Sequence, residues 1–264
     1  MPPTIATAAE DLRSFFLDPD HWIYRSKGTP SDIGPDSVYH IAQLQVLFED
    51  RYFHFLTGPA IQLLKQEGFL AEEIRQLGSI SANMVWRKNV RYTARPVRAH
   101  MSLLGEYSSN QMSRATGNYA EILTLSGLRA LHADLISRNA RDYRGRTWTN
   151  SSHDLDFIVE RKGVGYGVEV KNTWDYMPQD ELRTKLAICR HLGLRPLFIV
   201  RTRHSGQHAA LREAGGLLYM FKTKVFPPGQ EDLTKRIWQQ MRLPVGVWND
   251  FPGQFHATVS TFMS

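Results

Sequence analysis

The alternation of apolar and polar residues predicts two adjacent strands in the second half of the chain. The first is Asp154-Leu-Asp-Phe-Ile-Val-Glu160 and the second is Tyr166-Gly-Val-Glu-Val-Lys171. Because successive side chains of a strand point to opposite faces, Glu169 and Lys171 share one face of the second strand and the intervening valine takes the other. Two charged residues are therefore predicted on one side of a strand that is otherwise apolar.

The segment between these strands indicates an antiparallel hairpin closed by a two-residue turn at Lys162-Gly163, since glycine tolerates a positive φ. In that register the numbers of opposed residues sum to 325, so Asp156 faces Glu169 and Asp154 faces Lys171. Like charges directly opposite each other destabilise a sheet, and Asp156 with Glu169 therefore requires a compensating cation. A divalent metal ion is the economical candidate.

Apolar residues at three- and four-residue spacing predict helices before the hairpin. Residues 38–77 are predicted to form two or three short helices, with a break at residues 57–59. A longer helix is predicted from about residue 117 to residue 138, and Glu121 projects from near its buried face. A carboxylate there is either a first-turn residue favoured by the helix dipole or a ligand directed at the sheet.

Helices and strands alternate after the hairpin. The predicted elements are an amphipathic helix at 178–192, a buried strand at 196–200, a short helix at 208–214, a strand at 216–221 and a helix-like segment at 232–241. This alternation predicts an α/β sheet covered by helices.

These patterns divide the chain into three predicted regions. Residues 1–100 form a mainly helical region, residues 101–225 form the α/β core, and residues 226–264 form a C-terminal extension. Within the first region, the short helices followed by the basic stretch at 86–95 are typical of a helix-turn-helix or winged DNA-binding module. A helical subdomain that only supports the rest of the fold has the same pattern.

Composition excludes several classes of protein. The 264 residues, 42% of them hydrophobic, suffice for a sizeable core. No stretch approaches the ~20 apolar residues of a membrane span, and the first residues lack the pattern of a signal peptide, so a cytoplasmic location is expected. The single cysteine, Cys189, excludes an intrachain disulfide and a thiolate zinc site. A metal ion would be held by oxygen or imidazole.

Charge is distributed unevenly along the chain. The net charge is +6, yet residues 1–84 carry six Lys and Arg against eleven Asp and Glu. Residues 85–150 carry eleven basic residues against four acids, and most are arginines, whose guanidinium groups match phosphate oxygens. This block is either a phosphate-binding surface or a solvated basic face. The candidate DNA-binding residues in it are Arg87, Lys88, Arg91, Arg95 and Arg98.

The order of these elements resembles the PD-(D/E)xK nuclease superfamily, which includes restriction endonucleases and archaeal-type Holliday junction resolvases. The resemblance covers residues 117–221: a helix with Glu121, a strand with Asp156, a strand with Glu169-Val-Lys171, a helix and a strand. The proline of the family motif is absent, since residues 153–155 read His-Asp-Leu. The resemblance implies a restriction-endonuclease-like α/β fold, with a mixed sheet flanked by helices and an N-terminal mainly helical region.

The same resemblance implies a Mg²⁺-dependent DNA endonuclease, with Mn²⁺ as a possible substitute. Asp156 and Glu169 would ligate the metal together with the backbone carbonyl of Val170, and Lys171 would orient or deprotonate water or stabilise the transition state. Glu121 and Asp154 are further candidate metal ligands. Mg²⁺ suits this chemistry because it binds carboxylates, keeps several waters and bridges to phosphate oxygens.

These residues also have structural, non-catalytic interpretations. Lys171 and its neighbouring acids could form a purely structural ion-pair cluster. Lys185 lies on the following helix, where some members of the family carry supporting polar residues, and it could equally belong to a solvated face. Cutting two strands usually calls for two symmetric active sites, so a homodimer is expected. The alternative function is a nucleic-acid-binding protein that retains the nuclease fold without hydrolysis.

Overall fold

The computed structural model describes residues 2–25 and 32–264, and the protein is of the mixed α/β class. Its first elements in chain order are α1 Ile5–Phe15, β1 Tyr39–His40, α2 Ile41–Phe48, α3 His54–Gln66, β2 Leu70–Leu77, β3 Ile80–Arg87 and α4 Ala94–Tyr107. Then follow α5 Asn110–Ala130, β4 Asp134–Ala140, β5 Asp142–Tyr143, β6 Arg146–Thr147, β7 Leu155–Arg161, β8 Val164–Lys171, α6 Gln179–Leu192, β9 Arg195–Val200, α7 Ser205–Glu213, β10 Leu217–Met220, β11 Lys224–Phe226, α8 Glu231–Met241, β12 Val245–Val247 and α9 Gly253–Phe262.

The chain forms two compact units. Unit 1 consists of Met1–Ser113 and Glu231–Val245, and unit 2 consists of Arg114–Gln230 and Gly246–Ser264. The sequence analysis treated residues 226–264 as one extension, whereas the structure divides them between the two units. Among the described helices, none is both long and apolar enough to cross a membrane.

Unit 1 contains a three-stranded antiparallel sheet in the order β1-β3-β2, beside α1, α2 and α3. The prediction of helix up to residue 77 was wrong, because Leu70–Leu77 is a strand whose eight residues all pair with β3. Gly68 adopts a φ of +71° just after α3, and this left-handed residue turns the chain into β2. Two helices followed by a β-hairpin are compatible with the predicted helix-turn-helix or winged module, which stays a prediction.

Unit 2 is built on a five-stranded mixed sheet in the order β10-β9-β8-β7-β4. Strands β8, β9 and β10 are parallel, while β4, β7 and β8 are antiparallel neighbours. One face carries a core with apolar residues of α5 and α9, and the other carries a core with residues of α6 and α7. The predicted α/β sheet covered by helices is therefore confirmed.

The hairpin of β7 and β8 has the predicted register. Its five pairs run from Phe157 opposite Val168 to Arg161 opposite Val164, and the residue numbers in each pair sum to 325. The turn residues Lys162 and Gly163 have φ values of 52° and 78°. Two successive positive φ values are what a two-residue turn of type I′ requires, so the turn sets the pairing of the strands.

The long helix predicted up to residue 138 ends earlier. Helix α5 stops at Ala130, His132 takes a left-handed φ of 59°, and the chain continues as β4. Leu135, which the helical spacing placed on a buried face, is 46% exposed on that strand. The edge of β7 provides hydrogen-bond partners for β4, and this remote pairing overrides the local helical pattern. Helix α5 still precedes the hairpin of β7 and β8 in the chain, as predicted.

Candidate active site

Glu169 lies at the centre of a charged cluster in unit 2 and is 0% exposed. Its strand contains Gly165 and Gly167, which share a face with Glu169. A methyl group at Gly167 would lie 2.6 Å from the Sγ atom of Cys189 on α6, which is too close for real atoms. The missing side chain at Gly167 therefore lets α6 pack closely against β8, and the face of α6 that carries Lys185 reaches Glu169.

Four side chains form a row of alternating charge around Glu169. The Nζ atom of Lys185 lies 2.7 Å from Oε2 of Glu169, and the Nζ atom of Lys171 lies 3.1 Å from Oε1. Lys171 also lies 2.7 Å from Oε1 of Glu181. The two ammonium groups offset the cost of burying the Glu169 carboxylate, a cost that an isolated charge could not bear.

Helix α6 supplies two members of this row from one face. Glu181 and Lys185 are four residues apart, and residues at that spacing are neighbours on a helix surface. Glu181 stands in the first turn, where the helix dipole favours an acid. Lys185 is only 5% exposed, and its Nζ atom also donates a hydrogen bond to the backbone carbonyl of Asp154 at 2.5 Å. The interpretation of Lys185 as part of a solvated face was therefore wrong.

Asp156 joins the cluster at the start of β7. Its carboxylate accepts a hydrogen bond from the backbone N–H of Val170 at 2.7 Å, beyond the last ladder pair of Phe157 with Val168. Continued by one residue beyond the ladder, the register places Asp156 beside Glu169, and the charge of Asp156 acts on Glu169. For Val170 the structure shows a contact through its N–H, so the role of its carbonyl stays a prediction.

Within this cluster, Glu169 is the group whose pKa lies near neutral pH. Burial, with the nearby charge of Asp156, raises the pKa of Glu169 to about 7, although Lys171 and Lys185 oppose the shift. Burial also raises the pKa of Asp156 against the opposing hydrogen bond from Val170. For Lys171, burial would lower the pKa, but the carboxylates of Glu169 and Glu181 outweigh burial and raise it. Lys171 is therefore a stable ammonium group in this arrangement.

The oxygens of Glu169 retain capacity for a further partner. Both lie at ion-pair distance from an ammonium group, yet neither accepts a well-aligned hydrogen bond from the residues that the structure describes. The two ammonium groups therefore act on Glu169 mainly through their charge, and lone pairs of both oxygens stay available to a further ligand. Such buried, under-coordinated carboxylate oxygens suit a hard divalent cation.

Two other predicted ligands occupy the margin of the cluster. Glu121 on α5 has a partly exposed side chain, and its closest ion-pair partner among the described contacts is Arg138 on β4, at 4.0 Å. Burial raises its pKa, and the charges of Glu169 and Lys171 also act on it. Asp154 precedes β7, so the predicted ladder pairing with Lys171 is wrong. The observed contact of Asp154 with the cluster is its backbone carbonyl.

A full set of protein ligands is not assembled in this state. In residues 2–25 and 32–264, no three His, Cys, Asp or Glu side chains come together in a group that could hold a metal ion. Of the four predicted carboxylate ligands, Asp156 and Glu169 are the two that the hairpin brings side by side, and their role as ligands stays a prediction. Mg²⁺ is commonly bound by one or two carboxylates, with water and substrate phosphate completing its coordination, so two carboxylates are enough.

The segment after Lys171 is fixed by buried hydrogen bonds. The amide of Asn172 donates to the carbonyl oxygens of Thr116 and Val225 at 3.0 and 2.7 Å, and its Oδ1 accepts from the N–H of Val225 at 2.9 Å. Arg201, which is fully buried, donates hydrogen bonds to the backbone carbonyls of Thr173 and Trp174, both at 2.7 Å. These bonds hold the end of β8 in place and limit the positions open to Lys171.

The predicted DNA-binding residues lie in unit 1, whereas the charged cluster lies in unit 2. Arg87 forms an ion pair with Asp36 and is only partly exposed. The other four residues are exposed, as a solvent-facing binding surface requires; they are Lys88, Arg91, Arg95 and Arg98. The basic block at 85–150 is thus not one surface of one unit but is divided between the two units.

The sequence analysis did not identify Glu181 as part of the cluster. Its signal was the four-residue spacing to Lys185 at the start of the helix that follows the Glu-Val-Lys strand.

Comparisons with protein-family models, with curated proteins and with solved structures found no match to this chain.

Proposed function

We propose that this protein is a Mg²⁺-dependent endonuclease that hydrolyses phosphodiester bonds of DNA, with unit 2 as its catalytic part. The observation that carries the proposal is the buried Glu169 carboxylate, which has unused lone pairs beside Asp156 and Lys171. The order of elements adds support: α5, β7, β8, α6 and β9 follow one another as in the resemblance to PD-(D/E)xK nucleases. Strands β4, β5 and β6 lie between α5 and β7 in the chain.

In this proposal Asp156 and Glu169 hold the metal ion, with the backbone carbonyl of Val170 as a third oxygen. When bound, Mg²⁺ supplies positive charge that stabilises the developing negative charge of phosphodiester hydrolysis. The elevated pKa of Glu169 has a consequence for loading, because the carboxylate must lose its proton to act as a ligand. Glu121 lies at the margin and stays a further candidate ligand.

Lys171 acts in this proposal as a positive charge and not as a base. Its pKa is raised by Glu169 and Glu181 against the effect of burial, so it does not give up its proton near neutral pH. An ammonium group next to the reacting phosphate orients the attacking water and stabilises the charge that builds up on phosphate oxygens. Glu181 holds this ammonium in place through its 2.7 Å contact.

One observation favours the alternative of a nucleic-acid-binding protein without hydrolytic activity. Lys171 and Lys185 already balance the charge of Glu169 in the absence of any added cation. A closed network of this kind can be purely structural. The two functions differ in what a divalent metal ion does to a DNA substrate.

The decisive experiment incubates purified protein with linear duplex, flap, four-way junction, single-stranded DNA and RNA, in Mg²⁺, Mn²⁺ or EDTA. We expect metal-dependent cleavage of DNA, and we expect Lys171→Ala and Asp156→Asn each to reduce the rate by at least about 100-fold while binding persists. Lys162→Asn is the matched control, because this exposed turn lysine has a positive φ that asparagine tolerates.

The possible outcomes separate the two functions. Cleavage in EDTA, or full activity of both variants, would refute the nuclease proposal. Binding without cleavage in either metal supports the non-hydrolytic alternative. The expected homodimer belongs to the same proposal, since two symmetric sites are needed to cut two strands together, and sedimentation with and without DNA measures it.

A further inference from the structure

In unit 1, the stretch of sequence from the second half of β2 to the last turn of α4 contains basic residues but no acidic ones. No Asp or Glu occurs from residue 74 to residue 105, while this stretch contains six Lys and Arg residues. Four of them are exposed around the start of α4, and they are Lys88, Arg91, Arg95 and Arg98. Such a density of positive charge is suited to a polyanion.

An exposed aromatic ring lies within this charged segment. Tyr92 is 90% exposed, the highest value among the exposed large hydrophobic residues of the described chain. It takes a left-handed φ of 60° in the connection between β3 and α4, between Arg91 and Arg95 in sequence. An aromatic residue of this kind contributes nothing to the core, but its faces can stack on another flat ring.

A groove lies between β2 and α4, and one of its walls begins at Ala94, two residues after Tyr92. The groove has a volume of about 550 Å³, which is within the range of small-molecule sites. Its lining residues are Arg75, Gln76, Leu77, Ala94, Val97, Arg98, Met101 and Ser102. Apolar side chains thus stand beside two arginines, of which Arg75 is paired with Glu73 at 2.6 Å.

We propose that this groove and Tyr92 bind an unpaired nucleotide of a nucleic-acid strand. The base stacks on Tyr92 or enters the apolar groove, and the phosphates contact Lys88, Arg91, Arg95 and Arg98. Bases inside a duplex have their faces covered by their neighbours, so an aromatic ring and an apolar groove can act only on a base that is unstacked. The inference rests on the proposed function in one respect: it specifies DNA with unpaired nucleotides as the substrate.

Charge favours this occupant over an apolar peptide or a second copy of the chain. An apolar partner would leave the exposed arginines around the groove without counter-charges, whereas a nucleic-acid strand supplies one phosphate for each nucleotide. Stacking on aromatic side chains is tolerant of sequence, since every base has a flat face. The site therefore distinguishes unpaired from paired strands and does not read a particular sequence.

The test is a fluorescence-anisotropy titration of the full-length protein in EDTA, so that cleavage does not interfere. The probes are a single strand of about 20 nucleotides, as DNA and as RNA, and a blunt DNA duplex of the same length. We expect the single strand to bind more tightly than the duplex, and Tyr92→Ala to weaken it roughly tenfold, while Tyr92→Phe keeps the affinity. Ser102→Phe, which fills the groove from an exposed position, should weaken the same probe.

Phe55→Ala is the matched control, because Phe55 is also an exposed aromatic residue of unit 1 but lies on α3. We expect it to leave single-strand binding unchanged. Equal affinity for duplex and single strand, or unchanged single-strand binding by both Tyr92→Ala and Ser102→Phe, overturns the inference. Absence of binding to every probe overturns it too. Cleavage with Mg²⁺ is scored separately, so duplex cleavage without selective single-strand binding rejects this site and leaves the proposed function standing.

Discussion

The buried ion pair of Lys185 and Glu169 allows a quantitative prediction about stability. Lys185→Met removes the ammonium that lies 2.7 Å from a carboxylate with 0% exposure, and it also removes the hydrogen bond to the Asp154 carbonyl. Removing one partner of a buried pair typically costs about 3–5 kcal/mol, because the other charge is left without compensation. Here Glu169 has an alternative, since it can take up a proton.

The cost should therefore depend on pH. The pKa of Glu169 is about 7 in the wild-type protein, above its ordinary value of 4.5, and loss of Lys185 raises it further. When an acid has a higher pKa in the folded protein than in the unfolded chain, the protein loses stability as pH rises from the unfolded-state pKa to the folded-state pKa. In the wild-type protein, the contribution of Glu169 to the free energy of unfolding changes little above pH 7. In the variant, this contribution keeps falling by up to about 1.4 kcal/mol per pH unit. We expect a modest loss at pH 7 and a larger one at pH 9.

Cys189 provides a probe for this measurement. It is the only cysteine of the chain and is fully buried on α6, so a short pulse of thiol reagent labels molecules in which unit 2 has unfolded. Urea titrations in EDTA at pH 7 and pH 9 then give the free energy of unfolding of unit 2. Arg144→Asn is the matched control: it removes the exposed ion pair with Glu160 and keeps a residue that tolerates the positive φ of this position.

The control should show a small effect that does not grow between pH 7 and pH 9. Two results would contradict the reasoning. One is a loss in Lys185→Met no larger than in Arg144→Asn, which would mean that the buried contact does not stabilise the fold. The other is an equal loss at both pH values, which would mean that Glu169 does not titrate in response to Lys185.

Two further predictions concern packing and pH. Gly167→Ala should lower the stability of unit 2 by about 1–3 kcal/mol, because the added Cβ atom would lie 2.6 Å from the Sγ atom of Cys189. Gly117→Ala on α5, where the added Cβ atom would meet nothing within 4 Å, should instead raise stability by up to about 1 kcal/mol. Cys189 labelling in urea measures both variants, and equal effects would contradict the packing argument. Burial lowers the pKa of His40 to about 3 and that of His100 to about 4, so the unfolded chain takes up protons first as pH falls below about 6.5. These two histidines should together cost unit 1 about 4 kcal/mol at pH 5, and His40→Gln should reduce the difference between urea midpoints at pH 7 and pH 5; an unchanged difference would refute their role.

Several features of the candidate site could be predicted from local sequence. The turn at Lys162-Gly163 and the alternation along both strands determine which residues are opposed, because turn geometry and the two-residue period of a strand depend only on neighbours in the chain. Asp156 and Glu169 were placed side by side in this way. The buried strand β9 and the amphipathic helix α6 were also recognisable, since β9 is a short continuous apolar run and α6 has a helical period that ends at a glycine.

Partners far apart in sequence decided the remaining features. Residues 70–77 and 134–140 form strands because β3 and β7 offer them hydrogen-bond partners, and the local spacing of apolar residues could not indicate those partners. The burial of Lys185 and the role of Glu181 likewise depend on how closely α6 approaches β8. The missing side chain of Gly167, whose Cβ atom would lie 2.6 Å from the Sγ atom of Cys189 on α6, permits that close approach.

The sequence by itself thus determined the hairpin and the identity of its acids and lysine. Only the tertiary structure determined that Glu169 is buried between two ammonium groups with its pKa raised to about 7. The physical reason is that a strand's register follows from local geometry, whereas the burial and charge environment of a side chain depend on every element packed around it.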